Sequence, residues 1–340
     1  MTAAANDAAT EPSLIARREG PAGTLLMNRP RALNALDQAM IDGFGAAIEE
    51  WKADAEVELV VLEGAGGKAF CAGGDVRAMR QAVLDGDHDT VERFFTTEYA
   101  VNQGIAEFGK PWVSLIDGVC MGGGLGVSVH GSHRVVSENA LLAMPETAIA
   151  LFPDVGTSYV LPRLPGKLGL WIAMTGARLK GPEAVEAGLA THFVPRASLP
   201  ALREALLTGD AGVVERFAQP VPPGAVAAQR PAIDRCFGAG SVPAIIAALE
   251  AEGTEWAASQ LAILRRMSPT SLFVTHELLA RAAKMSLREC LYTELCLTRT
   301  VTVHPDFAEG VRSVLVDKDG TARWTPPTIE EVQTVEPLFG

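Results

Sequence analysis

KPWVSLIDGVCMGGGLGVSVHGSHRVVSENALLAMPETAIALFPDVGTSYVLPR, residues 110 to 163, sets glycines and carboxylates into an otherwise apolar background. WVSLIDG has the length and character of a buried strand. It leads into Gly122, Gly123 and Gly124 and then a short helix over about 123 to 130, where small residues let the backbone approach a ligand closely. The first amides of a helix have no intrahelical partner, so this junction offers free N–H donors. RVVS and ALLAM read as further short strands, and Glu146 in MPET and Asp154 in FPDVG follow them. The stretch predicts backbone donors facing two acids.

Upstream, SLIARREGPAGTLLMN (13 to 28) reads as two short strands around a glycine-proline turn. Asp37 is placed to cap a helix reaching about Lys52, because Met40, Ile41, Phe44, Ile48 and Trp51 recur with helical period. VELVVLEG is a strand, and after it Gly64, Gly66, Gly67, Gly73 and Gly74 crowd one loop before helical patterning resumes. That loop fails both the Walker and the G-x-G-x-x-G spacings, which argues against a nucleotide triphosphate site. Residues 87 to 108 read as a helix carrying Glu98, with Phe94, Phe95, Tyr99 and Ile105 inward. Strands alternating with helices point to an α/β fold with parallel pairing. Beyond about Leu199 strands stop and helical patterns run to the end, past the loop QPVPPG. The expected organisation is a tail over 1 to 12, an α/β core over 13 to 200 and a mainly helical region over 201 to 340.

The formal charge of −12, with no run of Lys and Arg, excludes a surface built for nucleic acid or anionic membrane. No apolar stretch is long enough to span a bilayer. The five cysteines, Cys71, Cys120, Cys236, Cys290 and Cys296, are scattered without a C-x-x-C pair, so neither a disulfide framework nor a zinc site is expected. A reducing, cytoplasmic location fits them. The opening MTAAANDAATEPS lacks the basic and apolar regions of a leader and reads as a disordered tail.

The glycine clusters at 73–74 and 122–124 each precede a helix, where free amides and the helix dipole can hold an oxyanion; tight packing is the competing reading. Glu146 lies between apolar runs, so burial would raise its pKa and suit it to acid or base work, unless it only complements a helix terminus. Asp154 has the same two readings. Ser132 between His130 and His133 lacks the G-x-S-x-G elbow, and the histidines show no metal-binding spacing. No metal is expected.

NRPRALNAL, KAFCAGGDVRAM, GVCMGGGLG and MPETAIALFPDVG, in this order, resemble the crotonase superfamily, and LPRLPGKLGLWIAMTGARLKG, AGLATHFV and DFAEGVRSVLVDKDG extend the match over nearly the whole chain. The resemblance implies a spiral of strand-strand-helix (ββα) turns followed by C-terminal helices that close the site and can mediate self-association. It implies an acyl-coenzyme A substrate, with the thioester oxygen between the amides of Gly74 and Gly123. Glu146 matches one of two hydratase acids; the other would stand at Gly126. Asp154 stands where many hydratases have a small residue and where the superfamily's hydrolases have an acid. Glu98 matches a substrate contact that accepts from an acyl 3-hydroxyl. Arg29, Arg31, Ala32 and Leu33, with Ala72, Gly73, Gly74, Asp75 and Val76, match coenzyme A contacts.

On this reading the activity is hydrolysis of a short branched 3-hydroxyacyl-CoA, with 3-hydroxyisobutyryl-CoA of valine breakdown as the expected member. Coenzyme A is part of the substrate and no separate cofactor is implied. A hydratase or isomerase working through Glu146 alone, and a noncatalytic acyl-CoA-binding protein, are the alternatives.

Overall fold

Residues 11–339 are described by a computed structural model; most of the tail expected at 1 to 12 lies outside them. Strands β1 (Leu14–Glu19) and β2 (Ala22–Met27) form the expected hairpin, with Leu14 opposite Met27. Helix α1 (Gln38–Ala53) follows, and Asp37 caps it by accepting from the Met40 amide at 2.8 Å. All five residues of the predicted stripe are buried on its inner face.

The spiral then repeats: β3 (Leu59–Gly64), β4 (Ala69–Cys71), α2 (Val76–Leu84) and α3 (His88–Ala106); β5 (Trp112–Ile116), β6 (Val119–Met121) and α4 (Gly123–Val129). β7 (His133–Val136), β8 (Leu141–Ala143), β9 (Leu179–Lys180) and β10 (His192–Phe193) complete it. The first turn gives both its strands to the larger sheet and the later turns give one strand to each of two sheets, ordered β1-β2-β3-β5-β7-β10 and β4-β6-β8-β9. From β2 to β10 the larger sheet is parallel throughout. This is the crotonase spiral that the motifs implied.

Side chains alternate across a strand, and both faces of the larger sheet are covered. Val60, Leu62, Trp112 and Ile116 enter the main core. Leu59, Val61, Val113 and Leu115 face a second layer made by helix Leu199–Leu206 and the turns after it. Leu202 and Leu206 of that helix are fully buried, each worth about 1.5–3 kcal/mol. The first helix past residue 199 therefore belongs to the sheet's outer layer. The later helices join the main core: Phe237, Leu264, Leu278, Leu297 and Phe307 lie in the same apolar cluster as Phe44 and Phe94. No helix among the described residues is long and apolar enough to cross a membrane.

Candidate active site

The two glycine clusters meet at one end of the spiral. Leu36 makes a parallel bridge to Gly74, with the Leu36 amide donating to Gly73 O at 2.9 Å and the Asp75 amide donating to Leu36 O at 2.8 Å. These bonds flank Gly74 and leave its own N–H out of the pattern. Gly123 is the first residue of α4, where the amide has no partner within the helix. A Cβ at Gly123 would lie 3.2 Å from the Gly74 nitrogen, so the two donors are neighbours. Gly122, at φ +47, supplies the turn, and a Cβ there would stand 2.8 Å from Glu146 Oε1. The left-handed angle and the close carboxyl both require glycine.

Beside these amides lies an acid wall. Glu98 from α3, Glu146 from the one-turn helix Glu146–Ile149 and Asp154 from the following loop line one cavity of about 280 Å³ with Gly74 and Gly123. All three are buried, with 2%, 6% and 4% exposure. Burial, reinforced by Asp154 and then Glu98, holds the Glu146 carboxyl well above the usual carboxylate range. Burial, then Asp154 and Glu294, does the same to Glu98. Asp154 is pushed up to about 7 by burial, against the opposing pull of the hydrogen bond from Tyr99 Oη at 2.8 Å. Glu98 Oε1 and Glu146 Oε2 are buried without a protein partner, so both keep acceptor capacity for a substrate. Acids this close share their protons and titrate together.

Phe94, Phe95, Ile149, Leu151 and Val155 make the cavity apolar, and Val314 and Leu315 of the π-helix Arg312–Val316 line it from the C-terminal region. That segment is tied to α2, since Arg77 donates to Leu315 O and Arg80 Nε donates to Ala308 O at 2.8 Å.

Of the residues matched to coenzyme A contacts, Ala72, Gly73, Gly74 and Val76 line the cavity. Asp75 caps α2 and pairs with Arg29 at 3.1 Å. Arg29 also pairs with Asp37 at 3.1 Å and donates to Ala35 O at 2.6 Å, so its guanidinium holds the 29–37 loop to the donor strand. Arg31, Ala32 and Leu33 are exposed beside it, and Arg31 makes no ion pair among the described residues. Arg178, exposed at the cavity edge, joins the lining from beyond the acids.

The Ser–His candidate resolves into structure. Ser132 Oγ lies 2.8 Å from His133 Nδ1, but it also accepts from the Trp112 amide at 3.0 Å, and neither residue lines the cavity. His130 is half-buried, with Nε2 2.8 Å from Val155 O. Because a carbonyl only accepts, its Nε2 carries the proton; burial lowers its pKa to about 4 and keeps it neutral. Among the described residues no cluster of metal-ligating side chains occurs, and all five cysteines are free.

Sequence reasoning passed over Glu294, Tyr99 as a hydrogen-bond donor, Arg178, Val314 and Leu315. A phenol on a buried helix face needs a partner, and that signal was available for Tyr99. Nothing local marks the others, because their roles come from packing between segments distant in the chain.

Residues 22–338 match the model of a family described as enoyl-CoA hydratase/isomerase. The chain belongs to this family. A relative named 3-hydroxyisobutyryl-CoA hydrolase, mitochondrial, from Xenopus tropicalis is 46% identical over 327 residues, covering 93% of this chain and 85% of that one. A carnitinyl-CoA dehydratase from Mycobacterium thermoresistibile superposes with a TM-score of 0.92 at 38% identity, covering 96% of both chains. An enoyl-CoA hydratase from Rhodobacter sphaeroides 2.4.1 gives 0.91 at 41%, again covering 96% of both. The expectation of a cytoplasmic location is corrected by these findings: hydrolase relatives of this enoyl-CoA hydratase/isomerase family member are named mitochondrial. Scattered free cysteines report only a reducing environment, and the mitochondrial relatives show that this does not single out the cytoplasm.

Proposed function

We propose that the protein hydrolyses a short branched 3-hydroxyacyl-CoA, with 3-hydroxyisobutyryl-CoA as substrate, to the free acid and coenzyme A. The observation that carries this reading is the presence of Glu146 and Asp154 in one cavity with two free amides, with the Gly126 position closed. A Cβ at Gly126 would lie 2.7 Å from Val155 Cβ and 2.9 Å from Asn102 Nδ2, so the acid that hydratases of this superfamily carry there has no room. The hydrolase relatives favour the same reaction.

The thioester oxygen sits between the Gly74 and Gly123 amides, where each donor contributes on the order of 3 kcal/mol to stabilising the developing oxyanion. Glu146, beside them, has a raised pKa and so is an effective proton acceptor near neutral pH once ionised. Two routes use this geometry: attack by Glu146 on the carbonyl to give an anhydride, or removal of a proton from an attacking water. Oxygen-18 entering Glu146 during a single turnover marks the first; its absence marks the second. Asp154, protonated below about 7, donates to the departing thiolate. Glu98 accepts from the substrate 3-hydroxyl through its unpartnered oxygen. The chemistry calls on no metal or redox cofactor.

The hydratase reading has support in the names of the two superposed structures. Thiol release from 3-hydroxyisobutyryl-CoA, measured beside loss of enoyl absorbance from crotonyl-CoA, separates the two. Thiol release dominating by at least about 10²-fold, the scale of one well-placed acid–base group, is expected. Crotonyl-CoA hydration without thiol release overturns the proposal.

A further inference from the structure

The mechanism uses three of four acids buried together. The fourth, Glu294, lies on helix Leu287–Val301 with 0% exposure and does not line the cavity. Both its oxygens are committed to a single turn: Oε2 accepts from the Gly156 amide at 2.8 Å and Oε1 from the Ser158 hydroxyl at 2.5 Å. That turn begins with Asp154.

The turn is strained. Val155 and Gly156 both sit in the left-handed region, at φ +52 and +74. For a β-branched residue such a conformation is strained and persists only where the surroundings fix it. The restraints are identifiable. The Thr157 amide and hydroxyl donate to Asp154 O at 2.8 and 2.7 Å, His130 donates to Val155 O at 2.8 Å, and Glu294 holds the far side. Among these Glu294 alone comes from the C-terminal helices.

A buried carboxyl is an expensive way to close a four-residue helix, because desolvating an acid costs more than burying the hydroxyl or amide that would serve as well. Burial and the neighbouring Asp154 push the Glu294 carboxyl up to about 8, the mark of that cost on its ionised form. Strain held at a functional turn by a costly buried group indicates a demand for precise placement.

We propose that Glu294 is a positioning residue for Asp154, locking residues 154–158 so that the Asp154 carboxyl stands between the Tyr99 hydroxyl and the cavity. This deepens the hydrolase reading and rests on it. It also makes the C-terminal helices part of the catalytic apparatus.

The test compares wild type, Glu294→Gln, Glu294→Ala and Ser158→Ala in the thiol-release assay with 3-hydroxyisobutyryl-CoA, with activity normalised to folded protein by near-UV circular dichroism. Displacement of a reacting group by about 1 Å costs on the order of 10²-fold, so Glu294→Ala is expected to lower kcat by roughly 30- to 100-fold with KM within about twofold of wild type. Glu294→Gln, whose amide oxygen still accepts from Gly156, is expected to recover kcat to within about fivefold. A group that only supported the fold would change the folded fraction and leave kcat per folded molecule alone. Unchanged kcat in Glu294→Ala, or a loss that Glu294→Gln shares in full, overturns the proposal. If Glu294→Ala does not fold, Ser158→Ala decides: a roughly threefold to tenfold fall in kcat at constant KM supports the lock, and an unchanged kcat overturns it. Wild type that releases no thiol sinks the hydrolase reading itself, a different outcome from active wild type with indifferent variants.

Discussion

The two walls of the cavity are built on opposite principles. The donor wall is backbone: Gly74 and Gly123 offer amides whose direction is set by main-chain structure alone, the parallel bridge from Leu36 to Gly74 and the start of α4 at Gly123. The acid wall is side chain: Glu98, Glu146, Asp154 and, behind them, Glu294 arrive from segments spread over nearly two hundred residues. An amide donates at any pH, so the donor wall needs only conformation. A carboxyl does chemistry according to its protonation, so the acid wall depends on burial and on its neighbours. The difference explains why the donor wall needs only the main chain of the spiral, while the acid wall also draws on the C-terminal helices through Glu294.

Substitutions that damage one wall and leave the other intact test that division. Glu146→Gln keeps the shape and the amides but removes the group that acts on the carbonyl or water; turnover is expected to fall by about 10³-fold or more, with coenzyme A affinity by titration calorimetry nearly intact. Full activity in that variant would reverse the assignment. Gly74→Ala attacks the other wall, because its Cβ would press within 3.1 Å of Phe94 Cζ while standing at an ordinary 3.9 Å from Glu98 Oε2. Displacing that donor should cost about 10²–10³ in kcat at every pH, leaving the shape of the pH profile unchanged; a profile that shifts would show that the walls are not separable.

Tyr99→Phe has the smallest expected effect. The Tyr99 hydrogen bond favours ionised Asp154 and so lowers its pKa; losing it raises that pKa above about 7. Activity that needs protonated Asp154 falls as pH rises through its pKa, so the basic limb of kcat should move to higher pH, with no more than about a fivefold change at the optimum, well under the loss of a whole acid–base group. A limb that stays in place or moves down would remove Asp154 from the proton-donor role.

Much of this was legible before any coordinates. The hairpin, the Asp37 cap and the stripe on α1 follow from turn chemistry and period. The motif order pointed to the ββα spiral and to Glu146, Asp154, Gly74 and Gly123, and the structure brings these four to one cavity. Other features were not local enough to read. Arg29 matched a coenzyme A contact, yet its guanidinium is engaged by Asp37, Asp75 and Ala35 O. Helix Leu199–Leu206 read as the start of a helical region, yet it covers the outer face of the larger sheet.

The sequence by itself determined the placement of glycine where backbone must approach a carbonyl and the absence of an acid at 126, because each is a matter of residue type at a fixed position; the spiral it implied through its resemblance to the crotonase superfamily. Only the tertiary structure decided why that absence is enforced, through Val155 and Asn102 filling the space, and why four acids can work beside one another. Their protonation is set by desolvation and mutual repulsion, which exist only once distant segments have packed and water has been excluded.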